Sequence, residues 1–342
     1  VTQDVYDRAL GALTGLALGD ALGMPTQSMS REAIRTHYGP IRSLRDAVAA
    51  QPISPGLPAG TVTDDTEQAV LVARLLIDGE GRIDPKTFAK SLLDWESDMI
   101  RRGLADLLGP STKRALELLE AGVAPEQAGK TGTTNGAAMR ITPVAIATPP
   151  ELDRLLDAVV AASELTHNTN LGIAAAAAVA AAVSAAIDGA DLATALDHAE
   201  HAAAAGARHG HWNAGGDIAA RIRWARRWVR GMDTDALADA VCDVIGTSVA
   251  SQESVVAAFA LAEALGDEPL EALTLAAELG GDTDTVAAIC GAILGARHGA
   301  SGLPRDLTTT VVEVNGLELE PVADGLLRLR SRPGTIQRRR RP

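Results

Sequence analysis

The chain is short of aromatic residues, cysteine and positive charge, and each shortage closes off a class of protein. Four Trp, two Tyr and two Phe are spread over 342 residues, so burial falls to Ala, Leu, Val and Ile. At 46% hydrophobic content these suffice for a sizeable core. Only Cys242 and Cys290 are present, far apart and without metal-ligand spacing; a disulfide framework and a Cys-based zinc site are both disfavoured, and a reducing cytoplasm fits. Lys and Arg number 31 against 44 Asp and Glu, a net charge of −13. A protein that tracks a phosphate backbone needs clustered cations. The one dense basic run is Arg338 to Arg341, so nucleic acid is not an expected partner. Asp4 and Asp7 precede the first apolar run where a secretory signal would carry basic residues. Leu171 to Ile187 is uncharged but mostly Ala and falls short of the roughly 20 residues that span a bilayer. It reads as a buried helix, with no membrane contact.

An Ala-rich chain with few aromatics and few alternating β-branched runs favours helices, and the expected fold is all-α. Helical patterns run from about Asp4 to Leu22, Asp64 to Ile77, Pro85 to Arg101, Thr112 to Ala121, Glu151 to Ser163, Leu171 to Ile187, Asp191 to Ala205, Asp217 to Val229, Thr234 to Ile245, Glu253 to Ala264, Leu270 to Glu278 and Thr285 to His298. Short Gly/Pro/Asp-rich turns separate them, so residues 1–333 read as one multi-helix domain and 334–342 as a basic, disordered tail. Asn315-Gly316 can close a small hairpin, but Leu317 to Leu329 reads better as a last helix. Gly11, Gly15, Gly19 and Gly23 recur every four positions, as do Ala287, Gly291, Gly295 and Gly299. Each set puts small residues on one helix face, where another backbone can approach. Those two helices are expected at the centre.

Two helix starts concentrate the polar chemistry. Thr63-Asp64-Asp65-Thr66-Glu67 and Gly280-Gly281-Asp282-Thr283-Asp284-Thr285 each precede an apolar helix. Capping explains one carboxylate at each. The second adds like-charge repulsion that a cation relieves. Four carboxylates with Thr63 and Thr285 form an all-oxygen set suited to Mg²⁺ or Mn²⁺, with room for two ions. Asp20, at the end of the apolar stretch from Ala9, reads equally as a turn residue or as a carboxylate serving that centre.

Between the clusters, Gly129 to Arg140 contains Thr133, Thr134, Asn135 and Gly136. Such a loop can aim N–H groups at an anion, with Arg140 adding charge or locking the loop; it is not a Walker A motif. His167 precedes the Ala-rich helix. His198, His201, His209 and His211 read as a solvated face, and no G-x-S-x-G elbow is present.

In combination, Gly19-Asp20-Ala21-Leu22-Gly23, Thr63-Asp64-Asp65-Thr66, Asn135-Gly136-Ala137-Ala138-Met139-Arg140, Thr166-His167 and Gly280 to Thr285 occur in an order that resembles the ADP-ribosylglycohydrolase family. The resemblance runs from about Ala9 to Gly299. It implies a compact all-α fold with a dinuclear Mg²⁺ or Mn²⁺ site held by Thr63, Asp64, Asp65, Asp282, Asp284 and Thr285. Asp64, Asp65 and Asp284 would be catalytic. Gln27, Thr133, Asn135, Gly136, His167 and Gly281 would contact substrate, and Asp20 and Arg140 would support from behind. The implied reaction is hydrolysis at the anomeric carbon of a ribose, releasing ADP-ribose from a protein or a small ribosyl substrate.

Two positions depart from the family pattern. Gln27 stands where many members carry a Glu, and it cannot take a proton. Thr133 and Thr134 replace an aromatic residue and a Gly, leaving the loop without a stacking face for adenine. Both departures keep open a smaller N-ribosyl metabolite or nucleoside as substrate. A non-catalytic relative that retained the fold is the remaining alternative.

Overall fold

The structure, a computed structural model, describes residues 2–104 and 109–332; the basic tail lies outside the described residues. Among the described residues there are eighteen α-helices and no strand. In chain order they are α1 (Gln3–Gly23), α2 (Arg31–Tyr38), α3 (Asp64–Asp78), α4 (Pro85–Arg101), α5 (Pro110–Glu120), α6 (Pro125–Ala128), α7 (Gly136–Met139), α8 (Thr142–Ala147), α9 (Leu152–His167), α10 (Asn170–Ile187), α11 (Leu192–Gly206), α12 (Ile218–Val229), α13 (Thr234–Ala240), α14 (Ser251–Ala264), α15 (Pro269–Glu278), α16 (Thr283–His298), α17 (Arg305–Asn315) and α18 (Leu319–Arg330). The all-α expectation holds.

α1 and α16 form the axis, and glycine is the reason. A Cβ on Gly11 would stand 2.3 Å from the Gly295 carbonyl oxygen, one on Gly15 2.1 Å from that of Gly291, and one on Gly19 2.1 Å from that of Ala287. As numbers rise along α1 they fall along α16, so the pair is antiparallel with its backbones in direct contact. The expected small-residue ridges therefore face each other. The seam brings the end of α1 to the start of α16: a Cβ on Gly23 would meet Thr283 O at 2.4 Å and Asp284 Cα at 2.5 Å.

α10 packs beside this axis. Every residue from Leu171 to Ile187 is buried, and although its length and apolarity would suffice to cross a membrane, 94% of it lies inside the molecule. Its alanines take the place of larger side chains, letting α7, α8, α9, α11 and α16 approach it.

Local differences from the sequence reading have physical causes. α2 was not anticipated: it is eight residues long and buries only Ile34 and Tyr38, with Ser30 Oγ capping Ala33 N–H at 3.2 Å. Asn315-Gly316 is no hairpin. Gly316 adopts φ +59° as the left-handed cap of α17, and Asn315 Nδ2 donates to Gly60 O at 2.7 Å, tying that turn to the segment before α3. α9 continues one turn beyond Ser163, to His167.

Candidate metal centre and substrate loop

Asp20, one turn before the close contact at Gly23, is fully buried. Both its carboxylate oxygens accept the Thr63 N–H at 3.0 Å, Oδ1 accepts the Thr63 hydroxyl at 2.8 Å, and Oδ2 accepts the Thr66 N–H at 3.1 Å and hydroxyl at 2.5 Å. Thr63 caps α3, its hydroxyl accepting the Asp65 N–H at 3.5 Å, and Asp20 holds that cap and the Thr66 N–H, pinning the α3 start against the centre. Burial raises its carboxyl to about 6, against the pull of those donors. The choice left open in the sequence falls between the two readings: Asp20 is an anchor reaching from one helix to the start of another.

The anchored turn carries Asp64 and Asp65, and α16 brings Asp284. Oxygen atoms of Asp20, Asp65 and Asp284 lie within 4.8 Å of one another, all three residues buried. Thr285 Oγ1 donates to Asp65 Oδ2 at 3.2 Å, joining the two helix starts. Asp65 Oδ1 and Asp284 Oδ1 are buried with no hydrogen-bond partner among the described residues. Burial first, then mutual repulsion with Asp20 and the other site carboxylates, holds Asp64, Asp65 and Asp284 well above the usual carboxylate range. A cluster of this kind is costly unless a cation sits among it. The orphaned oxygens and the hard, all-oxygen donor set fit a divalent ion of the Mg²⁺ or Mn²⁺ type.

Asp282 is half-buried and marks the open side. Its N–H donates to Thr247 O at 2.7 Å, while Gly281, at φ +75°, leaves space for Thr247, whose carbonyl a Cβ would meet at 2.5 Å. The π-helical turn Val241–Ile245 leads into that segment, an irregularity common at functional sites. Asn135 Nδ2 donates to Asp282 Oδ2 and to Ser254 Oγ at 2.8 Å, and Asn135 N–H to Val249 O at 2.9 Å. The loop around Asn135 is thereby fixed beside the carboxylates. Gly136, next in sequence, is buried, whereas Thr133 and Thr134 are half-buried.

His167 lies behind this loop, fully buried. A Cβ on Gly136 would reach its Cε1 at 2.8 Å, and Cβ atoms on Gly132 and Gly129 would strike the carbonyls of Thr166 and Glu164 at 2.0 and 2.4 Å. The glycines of the loop thus let its backbone lie on the end of α9 (Cβ contact, not only anion binding, explains them). Arg140 is buried too, donating to Gln68 Oε1 at 2.7 Å and Thr166 Oγ1 at 2.5 Å, with its guanidinium 5.1 Å from the Phe88 ring centre. Gln27 is nearly buried, its amide 3.4 Å from Ser54 Oγ. The sequence reading missed Gln68, which joins Arg140 to Asp64 through Nε2 at 3.4 Å from Oδ2, and Trp212. Trp212 is 80% exposed. It follows His211, which bridges to Thr169, and precedes Asn213, which donates to Lys130 O at 3.3 Å. The neighbours of Trp212 in sequence thus touch the segment of a loop that has no aromatic of its own.

The chain matches the ADP-ribosylglycohydrolase family model over residues 1–335. The uncharacterized protein YegU of Escherichia coli K12 is 34% identical over 328 residues, covering 95% of this chain and 97% of the relative. The ADP-ribosylarginine hydrolase Tri1 of Pseudomonas putida is 30% identical over 311 residues, 88% and 73% of the two chains. A solved ADP-ribosylglycohydrolase-related protein complex superposes with a TM-score of 0.67 at 26% identity, over 96% of this chain and 99% of that one. The chain therefore belongs to the ADP-ribosylglycohydrolase family and is a glycosidic hydrolase.

Proposed function

We propose that the protein removes ADP-ribose from an ADP-ribosylated acceptor by metal-dependent hydrolysis at the anomeric ribose carbon. The observation that carries this reading is the pair of orphaned, buried oxygens, Asp65 Oδ1 and Asp284 Oδ1, facing one centre from two helix starts. Thr63, Asp64, Asp65, Asp282, Asp284 and Thr285 would hold two Mg²⁺ or Mn²⁺ ions, which supply Lewis-acid polarisation of oxygen atoms. Asp20 has its oxygens occupied by Thr63 and Thr66, which suits it to support ligands rather than to act on substrate.

Asp64 or Asp65 accepts the proton of the attacking water, and the carboxylates, Asp284 among them, offset the positive charge that develops on the ribose ring as its bond to the acceptor breaks. Gln27 takes no proton in this scheme. Thr133, Asn135, Gly136 and Gly281 line the approach to Asp282 and orient the ligand, whereas His167 and Arg140 act from behind the loop. The substrate class follows the name of the Pseudomonas relative, an ADP-ribosylarginine hydrolase, and the cytoplasm is the compartment proposed for it.

The test is a hydrolysis panel with and without Mg²⁺ or Mn²⁺, using ADP-ribosylated Arg and Ser peptides, free ADP-ribose derivatives and simple nucleosides. Metal-dependent release of ADP-ribose from a peptide is the expected result, with Asp64→Asn and Asp65→Asn each reducing it by at least about 100-fold. Activity confined to nucleosides overturns the substrate class, and activity on nothing in the panel favours a binding protein.

A further inference from the structure

Three of the chain's four tryptophans lie between residues 212 and 228, and two of them, Trp224 and Trp228, stack on α12 with ring centres 5.1 Å apart and an interplanar angle of 19°. At about 100° per residue, Ile218, Ile222, Ala225, Arg226 and Val229 make up the buried side of this helix, and Arg221, Trp224, Arg227 and Trp228 fall together on the other. Trp224 is 39% exposed, and the Arg221 guanidinium lies 5.9 Å from its ring centre.

Charge on this face is not neutralised from within the chain. Arg223 and Arg230, on its flank, pair with Glu200 and Glu263 at 3.0 and 2.7 Å. Among the described residues no carboxylate pairs with Arg221 or Arg227, although acidic residues outnumber basic ones by 44 to 31. Arg221 instead donates to the main chain, through Nε to Gln252 O at 2.8 Å and through Nη2 to Ile245 O at 3.1 Å. Those two carbonyls bracket a segment that borders the candidate site. Within it, Thr247 O accepts the Asp282 N–H at 2.7 Å and Val249 O accepts the Asn135 N–H at 2.9 Å. Val244 and Val249, 55% and 40% exposed, add apolar surface beside Ile245 and inside the segment.

We infer that the Arg221–Trp224–Arg227–Trp228 face of α12 is a docking surface for the acceptor polypeptide, and that it fits an acidic stretch flanking the ADP-ribosylated residue. The inference rests on the proposed function and names the kind of partner that function serves. Arg221 ties the face to the segment that holds Asp282 and Asn135, so chain on one side of a modified residue at the metal centre is led onto α12. A free ribosyl metabolite has nothing to lay there. Charge complementarity sets the chemistry of the partner: Asp and Glu side chains meet the two unpaired guanidinium groups, while the stacked indoles cover apolar parts of the same stretch. Trp and Arg are the residues that concentrate binding energy at interfaces.

Two measurements on the full chain test this. In the first, kcat and KM are measured with Mg²⁺ at low salt on three substrates: free ADP-ribosyl-arginine, and two peptides ADP-ribosylated at one central Arg, flanked by Asp and Glu in one and by Lys in the other. Wild type is expected to show a KM about tenfold lower for the acidic peptide, a gap that closes as salt screens it. Arg227→Glu is expected to abolish the preference, and Trp224→Ala to raise KM for the acidic peptide about fivefold. Both should leave ADP-ribosyl-arginine within about twofold of wild type. Arg328→Glu makes the same charge change on α18, which packs against α1, α3 and α8, and should keep the preference. No preference in wild type, or an equal rise in KM on ADP-ribosyl-arginine, overturns the inference. The second measurement needs no turnover: the unmodified acidic peptide is expected to shift the tryptophan fluorescence of wild type and not of Arg227→Glu. No shift at millimolar peptide, or a shift with phosphatidylserine vesicles and none with the peptide, overturns the assignment of the surface. If none of the three substrates is hydrolysed, the proposed function fails, while the fluorescence titration still decides the surface.

Discussion

Gly15 and Gly291 lie so close that a Cβ on the first would stand 2.1 Å, and on the second 2.0 Å, from the other's carbonyl oxygen. Neither backbone can yield without shifting a helix that also carries the site, because α1 ends at Asp20 and Gly23 and α16 begins at Asp284. Gly291→Ala is therefore expected to destabilise the protein by about 2–3 kcal/mol through overpacking and to weaken Mn²⁺ binding at the same time. Gly109→Ala, at an ordinary φ of −62° with open space around it, is the control: it meets no neighbour and, as the N-cap of α5, should cost no more than about 1 kcal/mol. Urea unfolding and metal titration of the two variants check this; a Gly291→Ala protein as stable as wild type would contradict a rigid seam.

Asp20 and Asp65 are both buried carboxylates near one centre, yet their substitutions should diverge. In Asp20→Asn the new NH₂ faces N–H and O–H donors from Thr63 and Thr66, so metal-free stability should fall by about 1–3 kcal/mol. Asp65→Asn removes a like charge from an oxygen that had no partner, and metal-free stability should hold or rise while Mn²⁺ affinity drops by at least about tenfold. Unfolding in chelator separates the two.

How much of this was legible in the sequence depends on whether the signal was local. The helix-start carboxylates, the Gly ridges and the all-α character are patterns within a few residues, and all three are present in the structure. Periodicity could say that a backbone approaches Gly15, but not that Gly291 is the one. Asp20 was ambiguous because its partners lie more than forty residues away, on Thr63 and Thr66. The contacts of Arg140 were out of reach for the same reason: they depend on Gln68, Phe88 and Thr166, all distant in sequence. The segment around Trp212 is brought to the loop by the pairing of His211 with Thr169 and by Asn213, which donates to Lys130 O, contacts that no sequence pattern announces.

The carboxylate cluster gives the metal-free protein an unusual pH dependence. The folded-state carboxyl of Asp20 is raised to about 6 from an ordinary 3.8, and burial followed by repulsion from neighbouring carboxylates holds Asp64, Asp65 and Asp284 well above the ordinary range too. The native state thus holds protons that the unfolded chain releases, so stability present at low pH is lost as pH rises through 6. In chelator, the urea midpoint should be higher at about pH 5 than at about pH 7.5. Saturating Mg²⁺ should raise the midpoint most at the higher pH, where the ligands are ionised in its presence. A chelated protein that gains stability between those pH values would contradict the buried-cluster account.

Arg226, on α12, holds a different cluster of carboxylates. It is almost fully buried, donating through Nε to Glu263 at 2.7 Å and through Nη1 to Asp197 at 2.9 Å and Glu200 at 2.5 Å. These contacts join α11, α12 and α14. Arg226→Met leaves Glu200 and Glu263, only 14% and 13% exposed, with the more exposed Arg223 and Arg230 as their remaining partners. Removing one member of a buried pair costs about 3–5 kcal/mol; with those partners still in place the expected loss is roughly 2–3 kcal/mol, read by urea unfolding. Glu263 lies twelve residues along α14 from Ser251, which bonds to Thr134 O, a separation of about 18 Å on the helix. kcat and KM on an ADP-ribosylated peptide should therefore match wild type below the unfolding range, and a variant that is stable but inactive would show that the α11–α14 cluster helps to shape the substrate loop.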